Sequence, residues 1–263
     1  MGLVEIIGGS VTAPGSTETA LTPFTGQTFQ VRDFKGSEKA KLLATWNFVQ
    51  GTGISKFRSA RLHDNVQNFR IRTIANAVFP TFLGSDGQTL VTNDLLLPTL
   101  SGSATAGDIE QAYYLVYYSS LEGVNSRFTH YNSISRRIKN LLTVEVSLTA
   151  GTTGGFSGTK NIVADYDLLK SGTDYAVLGY RSSVLQGAIS LYGIDTGNLK
   201  TGGPGSLASS FDTSNWFKQL SLSFDIDCVP ILNSNNKTSI YVETSNNENA
   251  ASPIVTLFLA ELY

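Results

Sequence analysis

Two parts of the chain end in the same kind of strand, and this repeat constrains the fold most. Residues 111–118 read Gln-Ala-Tyr-Tyr-Leu-Val-Tyr-Tyr, and residues 253–263 read Pro-Ile-Val-Thr-Leu-Phe-Leu-Ala-Glu-Leu-Tyr. Both runs are rich in aromatic and β-branched residues, which favour strands, and each follows a polar stretch. The 263 residues are enough for two domains of common size. The repeat therefore predicts two similar β domains in tandem.

Strand-like runs recur at short intervals between turn signals. Residues 24–34, 42–49, 68–74, 175–180, 187–192, 221–232 and 238–243 show strand-type composition or alternation. The glycine-rich stretch 196–206 and the glycine/threonine stretch 151–160 are predicted as loops. Strands at this spacing with few, short helices predict an all-β sandwich or barrel architecture.

The chain divides into four predicted segments. Residues 1–23 are rich in Gly, Ser, Thr and Pro after a short apolar start, and predict an extended N-terminal arm. Residues 24–122 form the first β domain and residues 143–263 the second. Between them, at 123–142, Ile134, Ile138 and Leu141 have helical spacing and Ser133 can cap a helix, which predicts a helical connection.

The chain carries few charges. Charged residues make up 15%, against about a quarter in a typical soluble domain, and the net charge of −2 gives no general attraction to nucleic acid. Two explanations stay open at this point: neighbouring copies cover much of the surface, or a neutral Ser/Thr/Asn-rich surface faces water. Residues 56–139 are mildly basic and residues 161–263 acidic, a polarity that suits contacts between copies.

Cys228 is the only cysteine, so no internal disulfide forms, and we expect it to be a small buried apolar residue. The start of the chain lacks the basic and apolar regions of a signal peptide. No apolar run approaches the roughly 20 residues of a spanning helix. We therefore expect a soluble protein that folds in a reducing cytoplasm.

Motifs for catalysis and cofactor binding fail on inspection. In residues 151–160, Thr159 separates Gly158 from Lys160, so the Gly-Lys-Ser/Thr order of a phosphate-binding loop is missing. Two histidines and one cysteine do not make a Cys/His metal set. His63 and Asp64 are adjacent, and neighbouring strand residues point to opposite faces, so a polar turn is the better interpretation. We expect no enzymatic activity, no cofactor and no metal.

Two further groups of charged residues are candidate sites. Asp225 and Asp227 would share one face of a strand, as a glycosidase pair or a calcium site requires, although a solvated strand face is commoner. Arg127, Arg136, Arg137 and Lys139 form the densest basic cluster, with no acidic residue from 123 to 139, and Arg70 and Arg72 add a second basic pair. These side chains could face a genome or lipid headgroups, pair with acidic residues of a neighbouring copy, or lie on a solvated surface.

Several stretches resemble the double jelly-roll major capsid proteins of small tailless icosahedral viruses, especially bacterial ones. They are 59–66 (Ser-Ala-Arg-Leu-His-Asp-Asn-Val), 69–72 (Phe-Arg-Ile-Arg), 114–118 (Tyr-Leu-Val-Tyr-Tyr), 174–179 (Asp-Tyr-Ala-Val-Leu-Gly) and 195–205 (Asp-Thr-Gly-Asn-Leu-Lys-Thr-Gly-Gly-Pro-Gly). The resemblance implies two tandem jelly rolls and a homotrimer with a pseudo-hexagonal outline that tiles a virion shell. It also implies other virion proteins as partners, a genome or internal lipid membrane beneath the shell, and no enzymatic activity.

Two other functions remain open. Eleven tyrosines and two tryptophans could line a carbohydrate- or receptor-binding site on a β-sandwich of a virion or cell surface, although aromatic residues in strands are more often core. A polysaccharide-acting enzyme would use Asp225 and Asp227. The mass of the particle, glycan affinity and the release of reducing sugar distinguish the three.

Overall fold

The computed structural model of the chain describes residues 2–35, 38–63, 67–149, 154–205, 211–246 and 252–263. The first half contains β1 (Leu3–Thr12), β2 (Thr19–Ala20), β3 (Thr22–Pro23), β4 (Ala40–Phe48), β5 (Ile54–Phe57), β6 (Phe69–Arg72), β7 (Thr81–Phe82), β8 (Gln88–Leu90), β9 (Thr99–Leu100) and β10 (Ile109–Tyr118). The second half contains β11 (Phe128–Thr129), β12 (Ile138–Ser147), β13 (Gly155–Asn161), β14 (Asp174–Ser182), β15 (Gln186–Gly193), β16 (Thr201–Gly205), β17 (Val229–Asn233), β18 (Ile240–Asn246) and β19 (Ile254–Leu262).

The helices are short. They are α1 (Tyr131–Ile134), α2 (Trp216–Phe224) and 3-10 turns at Ser135–Arg137, Ile194–Thr196 and Ser234–Ser239. The prediction of an all-β chain with short helices is confirmed.

The strands form four antiparallel sheets, two in each half. Sheet A has the order β3-β1-β10-β4-β7, with β8 also on β4, and sheet B has the order β2-β9-β5-β6. Sheet C is β13-β18-β15-β16, and sheet D is β11-β17-β14-β19-β12. Within the described ranges, every ladder between these strands joins two strands of the same half.

The two halves repeat one strand order. Leaving aside the extra strands β3 and β11, and counting β7 and β8 as one position, each half has eight strand positions. In both halves the first strand pairs with the last, the last with the third and the third with the sixth. In both halves the second strand pairs with the seventh, the seventh with the fourth and the fourth with the fifth. The halves therefore share one topology, as the similar endings at 111–118 and 253–263 indicate.

Sheet A is covered on both faces. On one face, the Tyr114 ring of β10 lies 5.4 Å from the Phe57 ring of sheet B. On the other face, the Tyr113 hydroxyl is 2.7 Å from Ser245 Oγ of sheet C, and Trp46 Nε1 donates a 2.8 Å hydrogen bond to the Gly187 carbonyl. A strand buried on both faces does not alternate between apolar and polar residues, which explains the unbroken aromatic run in β10.

The predicted N-terminal arm is wrong, because residues 3–12 of the 1–23 segment form β1. This strand is hydrogen-bonded to β10 along its whole length and to β3 at Gly9 and Ser10. Its glycines serve close packing: a Cβ at Gly8 would lie 2.4 Å from the Phe24 ring, and one at Gly9 would lie 2.5 Å from the Thr22 carbonyl. The arm was predicted because composition alone does not distinguish glycines that allow close packing from glycines in an extended segment.

The helical connection at 123–142 is shorter than predicted. Helix α1 and the following 3-10 turn end at Arg137, and Ile138 and Leu141 lie in β12. These residues are in a strand because β12 pairs with β19 from Ile138 opposite Leu262 to Ser147 opposite Ile254. How the chain divides into independent domains stays a prediction.

Four other strand and loop predictions are wrong. Residues 155–160 of the predicted loop 151–160 belong to β13. Residues 24–34 contain only an isolated bridge between Gln30 and Leu95. Residues 221–228 belong to α2 and a turn, so only the end of the predicted strand 221–232 is extended. The glycine-rich segment 196–206 contains β16, where a Cβ at Gly202 would lie 1.9 Å from the Ile189 carbonyl and one at Gly203 would lie 2.4 Å from the Trp216 ring. Only glycine fits between β15 and that indole.

Candidate interaction surfaces

Arg127, the first member of the predicted basic cluster, is bound inside the second half. Its guanidinium donates two hydrogen bonds to the Asp174 carboxylate, at 2.9 and 2.7 Å, and Asn233 Nδ2 donates a third at 2.7 Å. The hydrogen bonds from Arg127 hold the pKa of Asp174 below its ordinary value, and the same contact raises the pKa of Arg127. These hydrogen bonds link the residue before β11 to the first residue of β14.

Arg136 and Arg137 lie in the exposed 3-10 turn before β12. Arg137 Nη2 donates to the Tyr263 carbonyl at 2.9 Å, and Tyr263 N donates to the Arg137 carbonyl at 3.0 Å. Lys139 Nζ lies 5.5 Å from the centre of the Tyr263 ring. The turn therefore holds the last residue of the sequence.

Lys139 also takes part in an ion-pair group around a buried carboxylate. Glu261 accepts hydrogen bonds from Lys170 Nζ at 2.9 and 2.8 Å, and Lys139 Nζ lies 3.5 Å away. The Lys170 contact, aided by Lys139, lowers the pKa of Glu261 below its ordinary value.

Of the four predicted basic residues, Arg127 and Lys139 form ion pairs and Arg137 donates to a backbone carbonyl. Within the described ranges, Arg136 forms no ion pair. The acidic partners are distant in sequence, so the absence of acids from 123 to 139 gave no sign of them. The contact of this cluster with a genome or a membrane stays a prediction.

The second basic pair lies on the outer face of sheet B. Phe57 points into the first half, so its neighbour Lys56 points outward, and Lys56 is the register partner of Arg70. Arg72 has the same orientation two residues further along β6. Glu18 pairs with Lys56 at 3.4 Å and with Arg70 at 2.9 Å. Among the described residues of β5 and β6, this basic face has three cations, and Glu18 pairs with two of them.

The outer face of sheet D is more apolar. Along β19, Val255, Leu257 and Leu259 are buried, whereas Ile254, Thr256 and Phe258 between them are exposed or half-buried. Leu141 of β12 is 64% exposed. Arg181 lies 5.5 Å above the Phe258 ring and pairs with Asp212 at 3.2 Å.

An apolar cavity of about 220 Å³ lies where the two halves meet. Phe82 of sheet A forms one wall, and Trp216, Leu220 and Phe224 of α2 form the other. Gln219 and Ser223 add polar groups at its rim. Sequence reasoning missed this cavity because residues 221–232, which include Phe224 of α2, were predicted as a strand.

The remaining candidate residues that the structure describes lie in turns, in a loop and in a strand. His63 Nδ1 accepts a 2.9 Å hydrogen bond from Ser59 N, as a turn residue does, and Asp64 lies outside the described residues. Asp225 has a left-handed φ of 51° after α2 and Asp227 lies in the turn before β17, so the two do not share a strand face. Lys160 lies in β13 and pairs with Asp165, and residues 151–153 of the predicted glycine loop lie outside the described ranges.

Within the part of the chain that the structure describes, no three His, Cys, Asp or Glu side chains converge as a metal site would require. The helices of that part are all too short or too polar to span a bilayer.

No protein-family model and no curated protein matches this chain. Among solved structures, the chain is similar to the crystal structure of PBSX exported protein XepA, with 10% identity, a TM-score of 0.27, and coverage of 98% of this chain and 86% of that one. At this TM-score the similarity carries no argument about fold or function.

Proposed function

We propose that the chain is a structural subunit of a virus shell, a major capsid protein that forms a homotrimer and tiles an icosahedral capsid. The observation that carries the proposal is the strand order that the two halves share. An eight-stranded sandwich with this order is a jelly roll, a fold used by viral capsids and by lectins. Two such units in one chain are what the capsid family's architecture requires.

The chemistry of the surface supports the same proposal. A chain with 15% charged residues has little charge to keep a large exposed surface hydrated, and large obligate interfaces are apolar at their centre. Side chains such as Leu141, Ile254 and Leu222 are exposed in the single chain. Neighbouring copies would cover them. In this proposal the protein resides in the virion, contacts other virion proteins, and has no catalytic role.

Electron microscopy of the purified protein tests the proposal. We expect particles with a three-fold, pseudo-hexagonal outline, and sheets or shells of them at high protein concentration. Isolated single-chain particles under all assembly conditions would overturn it.

The cavity between Phe82, Trp216 and Phe224 favours a second candidate, a carbohydrate- or receptor-binding β-sandwich protein of a virion or cell surface. Aromatic walls with polar groups at the rim suit an amphipathic ligand such as a sugar ring. Saturable glycan binding by a monomer, lost in Phe82→Ala, would favour this candidate over the shell subunit.

A further inference from the structure

One lysine of the second half, Lys200, lies beside a buried carboxylate in a largely apolar setting. The Lys200 side chain is 24% exposed and that of Glu243 is 5% exposed. Lys200 Nζ donates a hydrogen bond to Glu243 Oε1, and the same atom lies 4.9 Å from the ring centres of Phe156 and Tyr192. The amine and the carboxyl group of Glu243 are therefore held together beside two aromatic rings.

Backbone hydrogen bonds fix both groups in this position. Glu243 lies in β18 opposite Ser190 of β15, and Tyr192, two residues further along β15, points to the same face of sheet C. Lys200 comes directly before β16, and its carbonyl accepts a 2.8 Å hydrogen bond from Ile6 N of β1. Moving either group away would break these hydrogen bonds, so the contact belongs to the folded state.

The setting gives the pair the chemistry of an amine and a carboxylic acid. Burial lowers the pKa of Lys200 to about 8, so more of this amine is neutral and nucleophilic near neutral pH than at an exposed lysine. One proton transfer from Nζ to Oε1 turns the ion pair into an amine and an acid. Thr159 Oγ1 donates to Glu243 Oε2 at 3.4 Å, which stabilises the negative charge that forms on Oε2 when the amine attacks.

We propose that Lys200 and Glu243 condense to an intramolecular amide, an isopeptide cross-link between the residue before β16 and strand β18. Nζ attacks the carboxyl carbon Cδ, the Nζ–Cδ bond forms and the Cδ–Oε1 bond breaks. Oε1 leaves as water with two of the three ammonium protons, so no oxidant, reductant or further reactant is needed. The reaction removes two opposite charges from a site where their desolvation is costly, and the fixed contact supplies the proximity that it requires.

A second ion pair of the same half is an internal control. Lys160 pairs with Asp165, but the side chain of this aspartate is 24% exposed, against 5% for Glu243. Water stabilises both charges there. We therefore expect Lys160 and Asp165 to remain an ion pair.

Mass spectrometry of the purified and denatured full chain tests the proposal. We expect a mass lower than the sequence mass by one water molecule. After digestion with trypsin, we expect one branched peptide that joins the segment containing Lys200 to the segment containing Glu243. The chain should be cleaved after Lys160, and the peptides on either side should carry no link.

Lys200→Arg is the matched variant. Arginine keeps a positive charge next to Glu243, but its guanidinium stays protonated and does not form the amide, so this variant should have the full sequence mass. Wild-type chain recovered in urea from insoluble aggregates is a second control that needs no variant. It should have the full sequence mass until it is refolded.

The outcomes separate the cross-link from the proposed shell subunit. Folded wild-type protein with the full sequence mass, or with water lost at another site, would overturn the cross-link. Either result would leave the shell subunit standing, because the link lies within one chain. A wild-type monomer that carries the link would contradict the shell subunit and support the cross-link.

Discussion

Strands β1 and β12 open the two halves at the same position of the repeated order, but their surroundings differ. Residues 3–9 of β1 are all buried, and its outer edge is covered by β3 and by Lys200, whose carbonyl accepts a 2.8 Å hydrogen bond from Ile6 N. In β12, exposed residues flank the buried Val144 and Val146, and no described strand pairs with its outer edge. A long uncovered edge invites pairing or association. The β1 edge of sheet A is therefore covered within the chain, whereas the β12 edge of sheet D is left for another molecule.

The largest expected effect comes from a charge placed on these two strands. Ile6→Asp buries a carboxylate without a partner, at a cost of about 4 kcal/mol or more, which is a large share of the total stability of a domain. Leu141→Asp puts the same charge on an exposed position, and we expect its unfolding midpoint to stay near that of the wild type. Urea unfolding followed by circular dichroism measures both.

Removal of residues 2–12 extends this test to the whole of β1. Because β10 loses a hydrogen-bonded neighbour along its full length, we expect no cooperatively folded protein. A truncated protein with wild-type unfolding would mean that the segment is an arm after all, and that the burial of β1 does not matter for the fold.

The contact between the halves gives the next largest effect. Trp46→Ala removes the indole that stacks on Tyr113 and bonds the Gly187 carbonyl, and we expect a loss of about 3–5 kcal/mol in the free energy of unfolding. Phe258→Ala on the open face of sheet D should cost less than about 2 kcal/mol. Equal losses measured by urea titration under monomeric conditions would contradict the difference between the two faces.

Two glycine substitutions in strands of the second half test whether a glycine is needed for close packing. Gly203→Ala brings a Cβ to 2.4 Å from the Trp216 ring, and we expect it to destabilise the fold by about 1–3 kcal/mol. Gly155→Ala in β13 meets no atom within 4 Å, and should change stability by less than about 0.5 kcal/mol. A neutral Gly203→Ala would show that β16 has room for a side chain.

The smallest predicted effect concerns the tyrosines of β10. Burial raises the pKa of Tyr117 to about 12, so above pH 10 the unfolded chain releases a proton that the folded chain keeps. The contribution of the Tyr117 hydroxyl to the free energy of unfolding is therefore complete below pH 10 and is lost as the pH rises through about 12. At pH 11 the wild-type protein should therefore lose less than about 1 kcal/mol of its free energy of unfolding, because partial exposure of the ring reduces the effect. Tyr117→Phe should abolish this decrease. Tyr166→Phe, at an exposed position, is the control for the loss of one tyrosine hydroxyl.

The regular strands could be predicted from sequence wherever composition or alternation reports burial. β10 and β19 were found from their aromatic and β-branched residues, and β4, β14, β15 and β18 lie close to their predicted positions. β1 and β16 were missed because their glycines are there for close contact with Phe24 and Trp216, and composition does not separate that use from a loop. Local patterns carry no information on contacts between distant parts of the chain.

The partners of the basic cluster were missed for a related reason. Arg127 and Lys139 were recognised as basic residues without nearby acids, but their partners Asp174 and Glu261 come from other strands of sheet D. Only the strand order, which depends on long-range pairing, brings these groups together. The open faces of sheets B and D could not be predicted either, since the sequence does not say which outer faces the chain itself covers.

Sedimentation equilibrium of the wild-type protein tests most directly whether further copies of the chain cover its open surfaces. The account predicts a stable species of three times the 28.3 kDa chain mass, which Leu141→Asp weakens without unfolding the monomer. A single species of 28.3 kDa across the accessible concentration range would contradict it, because the open faces of sheets B and D would then face only water.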